Sequence, residues 1–178
     1  MAKEIGLSLV YRDMWQSSGK YMPRVDQLTR IAGPIIDMGC FRRVETNGGG
    51  FEQINLLYGE NPNKSVREWT QPFNDAGIET HMLERGLNGL RMYPVPRDVR
   101  RLMFKLKKIQ GTDISRSFDG LNDTRNLKLS IEYAKEGGMI AQAALCITHS
   151  KLHTIDYYVN MAGTLIDMGA QEICIKDM

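Results

Sequence analysis

Six short apolar stretches rich in β-branched residues recur along this chain, beginning near residues 5, 40, 78, 113, 139 and 173, so that successive starts lie 35, 38, 35, 26 and 34 residues apart. Such an interval holds one strand, one helix and two connections. A chain that repeats it is committed to an α/β architecture with parallel strands, because parallel neighbours need a long crossover between them. The stretches themselves, residues 5–11, 40–44, 78–83, 113–118, 139–147 and 173–175, lack clean polar alternation. That is the pattern of strands covered on both faces.

The intervals carry helical spacing. In residues 23–38 the apolar positions Val25, Leu28, Ile31, Ile35 and Met38 follow steps of three and four, with Pro23 at the start and Gly39 just past the end. Residues 122–136 repeat this with Leu127, Ile131 and Ala134 before Gly137, and residues 153–168 with Ile155, Val159, Ala162 and Ile166 before Gly169. Residues 99–109 and 51–73 give weaker helical patterns. Two architectures accommodate six strands and their crossovers, an open doubly wound sheet and a (β/α)8 barrel. The turn after the first strand, Tyr11-Arg12-Asp13-Met14-Trp15-Gln16, has none of the glycines a dinucleotide pyrophosphate needs. The expectation is a partial (β/α)8 TIM barrel, about six of eight βα units, since 178 residues fall short of the roughly 250 of a complete one. Residues 1–178 then read as the N-terminal part of that barrel. Stopping after six strands leaves two open edges for further chain or partners to cover.

Composition narrows the partners. Lys and Arg total 23 against 21 for Asp and Glu, which gives no electrostatic reason to expect nucleic acid. The basic residues 97–108 have helical spacing and read as a solvated face. No apolar run reaches the roughly 20 residues that span a bilayer, and the first residues lack a signal-peptide core, so a cytoplasmic protein is expected. Cys40, Cys146 and Cys174 lie far apart beside apolar segments, as buried reduced thiols do.

In a barrel the chemistry stands at the C-terminal ends of the strands. Strand one there delivers Arg12, Asp13 and Gln16; strand two Glu45, Asn47 and glycines 48–50; strand three Glu84, Arg85 and Asn88. Strand four delivers Asp119 and Asn122, strand five Thr148, His149 and His153, and strand six Lys176 and Asp177. Singly, each has an ordinary structural use: an Asp after a strand as a turn residue or helix cap, Arg85 as an ion-pair partner, Lys176 as a snorkelling lysine. Their joint placement on one rim is what suggests a site.

Six motifs in order carry a family resemblance: Tyr11-Arg12-Asp13-Met14-Trp15-Gln16-Ser17, Gly48-Gly49-Gly50-Phe51-Glu52, Met82-Leu83-Glu84-Arg85-Gly86, Phe118-Asp119-Gly120-Leu121-Asn122-Asp123-Thr124-Arg125-Asn126-Leu127, His153-Thr154-Ile155-Asp156-Tyr157-Tyr158, and Ile173-Cys174-Ile175-Lys176-Asp177-Met178. Over nearly its whole length the chain resembles the carboxyltransferase domain of the biotin-dependent pyruvate carboxylase and oxaloacetate decarboxylase family.

The resemblance implies carboxyl transfer between carboxybiotin and pyruvate or oxaloacetate through a metal-stabilised enolate in the full-length protein. It implies that Asp13 ligates a divalent metal (Zn, Mn or Co), that Lys176 is carbamylated and is a second ligand, and that Gln16 and Arg85 hold the keto acid. Biotin sits on a separate domain or subunit, so the implied partners are a biotin carboxyl carrier and biotin carboxylase subunits, in a homo-oligomer. The chemistry suits these residues: carbamylation turns a lysine amine into an anionic oxygen donor, and a guanidinium grips a carboxylate bidentately. Glu52 stands where the family has Asp, and Trp15 where His or Gln is usual. The resemblance implies a His-x-His motif and a catalytic Thr further along than residue 178, so the chain is expected to be truncated before them, and whether it ends naturally at Met178 is left open. The alternatives are a metal-dependent aldol-type lyase or acyltransferase of the same superfamily, or an inactive fragment. Reaction direction, metal identity and a sodium-pumping membrane partner are left open.

Overall fold

The computed structural model describes residues 5–18 and 21–177, with all of their side chains except those of residues 15, 51, 52 and 54. Six strands, β1 (Leu7–Leu9), β2 (Phe41–Asn47), β3 (Glu79–Glu84), β4 (Ile114–Ser117), β5 (Ile140–Cys146) and β6 (Glu172–Lys176), are interspersed with helices α1 (Tyr11–Ser17), α2 (Val25–Asp37), α3 (Gly49–Tyr58), α4 (Pro62–Asp75), α5 (Arg97–Ile109), α6 (Thr124–Glu136) and α7 (Ile155–Asp167). The strands are ordered β1-β2-β3-β4-β5-β6, and the pairs β1/β2, β2/β3, β4/β5 and β5/β6 are parallel. A doubly wound sheet would reverse its order part-way. Strictly sequential order is the winding of a (β/α)8 barrel, of which six units are present.

Each expected strand and helix is found, with ends shifted by at most three residues and the 51–73 pattern resolved into α3 and α4. The exception is α1, where the sequence suggests only a turn.

The chain divides into two compact units, Met1–Met82 with Ile109–Asp113, and Leu83–Lys108 with Ile114–Met178. The first unit is built on α2 and α4. Leu28 and Ala32 from α2, Val44 from β2, and Val66, Trp69 and Phe73 from α4 are buried together. Trp69 meets Phe73 edge-on with ring centroids 4.9 Å apart, the geometry aromatic quadrupoles favour. Asn61 caps α4 by accepting from the Asn63 amide at 2.9 Å, and Pro62 follows it at the first helical position. Residues 109–113 return to this unit through hydroxyls. Thr70 Oγ1 donates to the Gln110 carbonyl and Thr80 Oγ1 to that of Gly111, both at 2.6 Å. Gly111 has φ +96°, and a Cβ there would lie 2.5 Å from Asn74 Oδ1, so only glycine fits.

In the second unit, α6 and α7 cover one face of β5. Ala141, Ala143 and Leu145 of β5 are buried, as are Leu127 and Ile131 of α6 and Met161 and Leu165 of α7. Alternate residues carry a polar rung: Arg116 Nε donates to Gln142 Oε1 at 2.5 Å, and Gln142 Nε2 to Glu172 Oε2 at 2.7 Å. These three side chains are register partners on adjacent strands.

Helix α5 is solvated at Arg97, Arg101 and Lys105, as expected for residues 97–108, but not at Arg100 and Lys107. Arg100, Phe104 and Lys107, spaced four and three apart, point inward and are buried, whereas Val99, Leu102, Leu106 and Ile109 are exposed. Arg100 is accommodated because Nη2 reaches Glu84 Oε1 at 3.3 Å and Ser130 Oγ at 2.7 Å. Burial alone pushes the Lys107 amine down to about 8. The cysteines also depart from expectation: all three are free thiols, but only Cys146 is buried, and Cys40 is exposed at the entry to β2. No helix among the described residues is long and apolar enough to cross a membrane.

Candidate active site

In the first unit the strand-end residues converge on one guanidinium. Arg12, 1% exposed, donates from Nε to Glu45 Oε1 at 2.8 Å and brings Nη2 within 2.6 Å of the same oxygen. Its Nη2 lies 3.2 Å from Asp13 Oδ1, and its Nη1 donates to Gln16 Oε1. Helix α1 forms where a turn was expected because Arg12 is anchored inward by Glu45, which aligns the next turn of chain. Asp13 and Gln16 thereby come together, three residues apart on one short helix and both tied to Arg12. The Gln16 carbonyl oxygen is occupied by Arg12, which leaves its NH2 group as the free end, a donor. Asp13 is 61% exposed and open to a ligand.

Glu45 also faces His81, whose Nδ1 is 3.5 Å from Glu45 Oε2, and His81 Nε2 is 3.0 Å from Ser8 Oγ. His81 and Glu45 are register partners on β2 and β3. Sequence reading missed Ser8 and His81. The available signal was a titratable residue inside an otherwise apolar strand, which is costly unless it is partnered.

In the second unit, Lys176 closes β6 with Nζ 5.0 Å from the centre of the Phe118 ring, opposite Cys146 on β5. Burial raises the Cys146 thiol above its ordinary value, against the pull of Lys176. Arg85 follows β3. Its backbone N–H donates to the Gly89 carbonyl at 2.8 Å, and Nη1 reaches the Arg91 carbonyl at 3.4 Å and Met92 Sδ at 2.9 Å.

Other strand-end residues prove architectural. Asp119 accepts from the Leu121 and Asp123 amides at 3.2 and 2.9 Å and from Asn126 Nδ2 at 3.1 Å. Asn122, at φ +59°, donates to the Cys146 carbonyl at 2.8 Å and accepts from the Cys146 amide at 2.9 Å, lashing the loop to β5. Glu84 is fully buried beneath α5 instead of standing on the rim. Burial drives its carboxyl up to about 7 despite Arg100, Ser117, Ser130 and the Gly86 amide. His153 is taken up by Ser150, 2.7 Å from Nδ1, and packs edge-on against Tyr157.

No family model matches the chain. A pyruvate carboxylase subunit of Methanocaldococcus jannaschii is 33% identical over 94% of the chain. The methylmalonyl-CoA carboxyltransferase 5S subunit of Propionibacterium freudenreichii subsp. shermanii is 32% identical over 99% of it. The carboxyl transferase domain of Rhizobium etli pyruvate carboxylase, solved with pyruvate, superposes over 99% of the chain with a TM-score of 0.88 at 27% identity, and the chain covers 31% of that structure. The chain's homologues are pyruvate carboxylase and carboxyltransferase subunits. The chain spans about a third of the length of the curated relatives, 29% and 35% of the two named. The same Rhizobium etli domain has also been solved with pyruvate and biocytin together.

Within this chain the donors for a divalent ion do not close into a site by themselves. No three His, Cys, Asp or Glu side chains converge among the described residues. Asp13 is shared with Arg12, and Lys176 is a cation unless carbamylated. The carboxyltransferase positions occupied here by Trp15 and Glu52 have side chains outside the described residues.

Proposed function

We propose that this chain supplies part of a biotin-dependent carboxyltransferase barrel, its N-terminal portion, which moves a carboxyl group between carboxybiotin and pyruvate or oxaloacetate. The observation that carries this reading is superposition over 99% of the chain on a domain solved with pyruvate and, separately, with pyruvate and biocytin. The exposed apolar residues of the two outermost strands, Leu7 on β1 and Ile175 on β6, support a barrel completed by further chain.

In the carboxylation direction the bond from the ureido nitrogen of biotin to its carboxyl group breaks and a bond forms from that carbon to C3 of pyruvate. The proton lost from the pyruvate methyl ends on the ureido nitrogen, so the exchange balances. Negative charge gathers on the keto oxygen as the enolate forms. Gln16, with its NH2 end directed outward by Arg12, donates to the keto acid. The Arg85 fork takes the carboxylate. Asp13 and a carbamylated Lys176 are the donors this chain would lend to a zinc, manganese or cobalt ion whose other donors lie outside these residues. Such an ion would act as a Lewis acid for the enolate oxygen. The biotin carboxyl carrier and biotin carboxylase are the expected partners.

The test uses the full-length protein with its biotin carrier and measures pyruvate-dependent loss of carboxyl from carboxybiotin. Lys176→Ala should lower the rate by about a hundredfold or more with folding intact by circular dichroism. An undiminished rate would reject the role of Lys176, and absence of any pyruvate dependence in the unmodified protein would reject the function.

A further inference from the structure

The second unit contains a cavity of about 510 Å³ that plays no part in carboxyl transfer as described above; none of Asp13, Gln16, Arg85 or Lys176 lines it. Its walls come from the segment before α5, the first turn of α5 and the outer side of α6. Four cations, Arg97, Arg100, Arg125 and Lys128, face it, with Glu132 as the sole acid.

The disposition of these charges points to a ligand. Arg125 is already paired with Asp123 at 2.5 Å, and Arg100 with Glu84. Arg97 and Lys128 have no ion-pair partner among the described residues. Arg100 is 1% exposed and its Nε finds no acceptor, a deficit that a buried guanidinium ordinarily avoids. Arg97 opens α5, so the first-turn amides and the positive end of that helix add to the field at the same place. Apart from the amide of Asn126, the remaining wall is apolar, including Val95 and Leu129. The volume lies in the range of small-molecule sites.

We infer that this cavity binds a small organic phosphate, its charged group between Arg97 and Lys128 and its apolar part against Val95 and Leu129. A dianion suits several converging cations better than a single carboxylate does. The apolar wall makes an organic ester fit better than the free inorganic ion.

Phenyl phosphate, inorganic phosphate and phenol, titrated calorimetrically into the purified full chain, separate the contributions. One phenyl phosphate should bind per chain, more tightly than inorganic phosphate, with phenol giving no saturable heat. Affinity should fall as salt rises from about 50 to about 300 mM, where screening shortens the reach of charge. Arg97 and Lys128 are exposed, so the double variant Arg97→Ala/Lys128→Ala should fold normally and bind phenyl phosphate about tenfold more weakly or worse. Equal affinity in the double variant, binding of phenol as strong as that of its ester, or absence of a one-to-one complex would each overturn the inference. The measurement involves no carboxyl transfer, so its outcome is independent of that of the Lys176 assay.

Discussion

Arg12 and Glu45 form an ion pair with both side chains 1% exposed, one from α1 and one from β2, closed by contacts of 2.8 and 2.6 Å. The same guanidinium holds Asp13 and Gln16, so the pair that anchors α1 also positions the two residues proposed above to meet the metal and the keto acid. Removing one partner leaves an uncompensated buried charge. Arg12→Met should therefore destabilise the protein by about 3–5 kcal/mol, read from urea unfolding. Arg12→Met combined with Glu45→Met should recover much of the loss, because no lone charge remains. Equal loss in the single and double variants would mean that lost packing outweighs the stranded charge.

Glu84 sets a pH dependence. Its carboxyl titrates at about 7 when folded and at the ordinary 4.5 when unfolded. The folded state thus binds the proton more tightly, and the associated stability is complete below about 4.5 and lost as pH rises through about 7. Glu84→Gln should flatten the fall in unfolding free energy between about pH 5 and pH 8, a difference on the order of 3 kcal/mol. Identical slopes in the two proteins would show that Arg100 keeps the carboxylate ionised.

Lys107 works in the opposite sense. Its folded amine titrates at about 8 against 10.5 when unfolded, so stability is complete above about 10.5 and lost as pH falls through about 8. Lys107→Met should raise stability at neutral pH by an amount on the order of 3 kcal/mol, and the advantage should vanish in alkali. Thermal melts across pH would show this, and a destabilised variant at pH 7 would contradict it.

Arg85→Lys in the full-length enzyme should raise KM for the keto acid by about tenfold with a smaller change in kcat, since a point charge replaces a planar fork. The Arg85 side chain already rests on Arg91 and Met92, so the loss comes from chemistry more than from disorder. An unchanged KM would remove Arg85 from the substrate site.

The architecture was legible because crossover length is a coarse property: β-branched runs recurring every 26 to 38 residues admit few folds. What escaped was which way particular side chains point. Residues 11–17 carry little helical signal, and α1 exists through a tertiary bond from Arg12 to a strand 33 residues away. Asp119 and Asn122 look chemical in the sequence because carboxylates and amides build tight turns as readily as they bind ligands; here they bond loop amides and β5. Arg100 and Lys107 look solvated because a basic helix normally is, and only the buried oxygens of Glu84 and Ser130 explain why Arg100 turns inward. Asp13 and Gln16 stand three residues apart in the sequence, but nothing in the sequence marks Arg12 as the group that ties them together.

The rung Arg116–Gln142–Glu172 reaches further than its two hydrogen bonds. A slip of β6 by a single residue would break its tie and turn every side chain of that strand to the opposite face. Lys176 lies four residues beyond Glu172 on the same face, about 13 Å along the strand. Gln142 therefore acts as a vernier for the amine at the far end of its neighbour, and an error in phase made there would be delivered where the chemistry is expected.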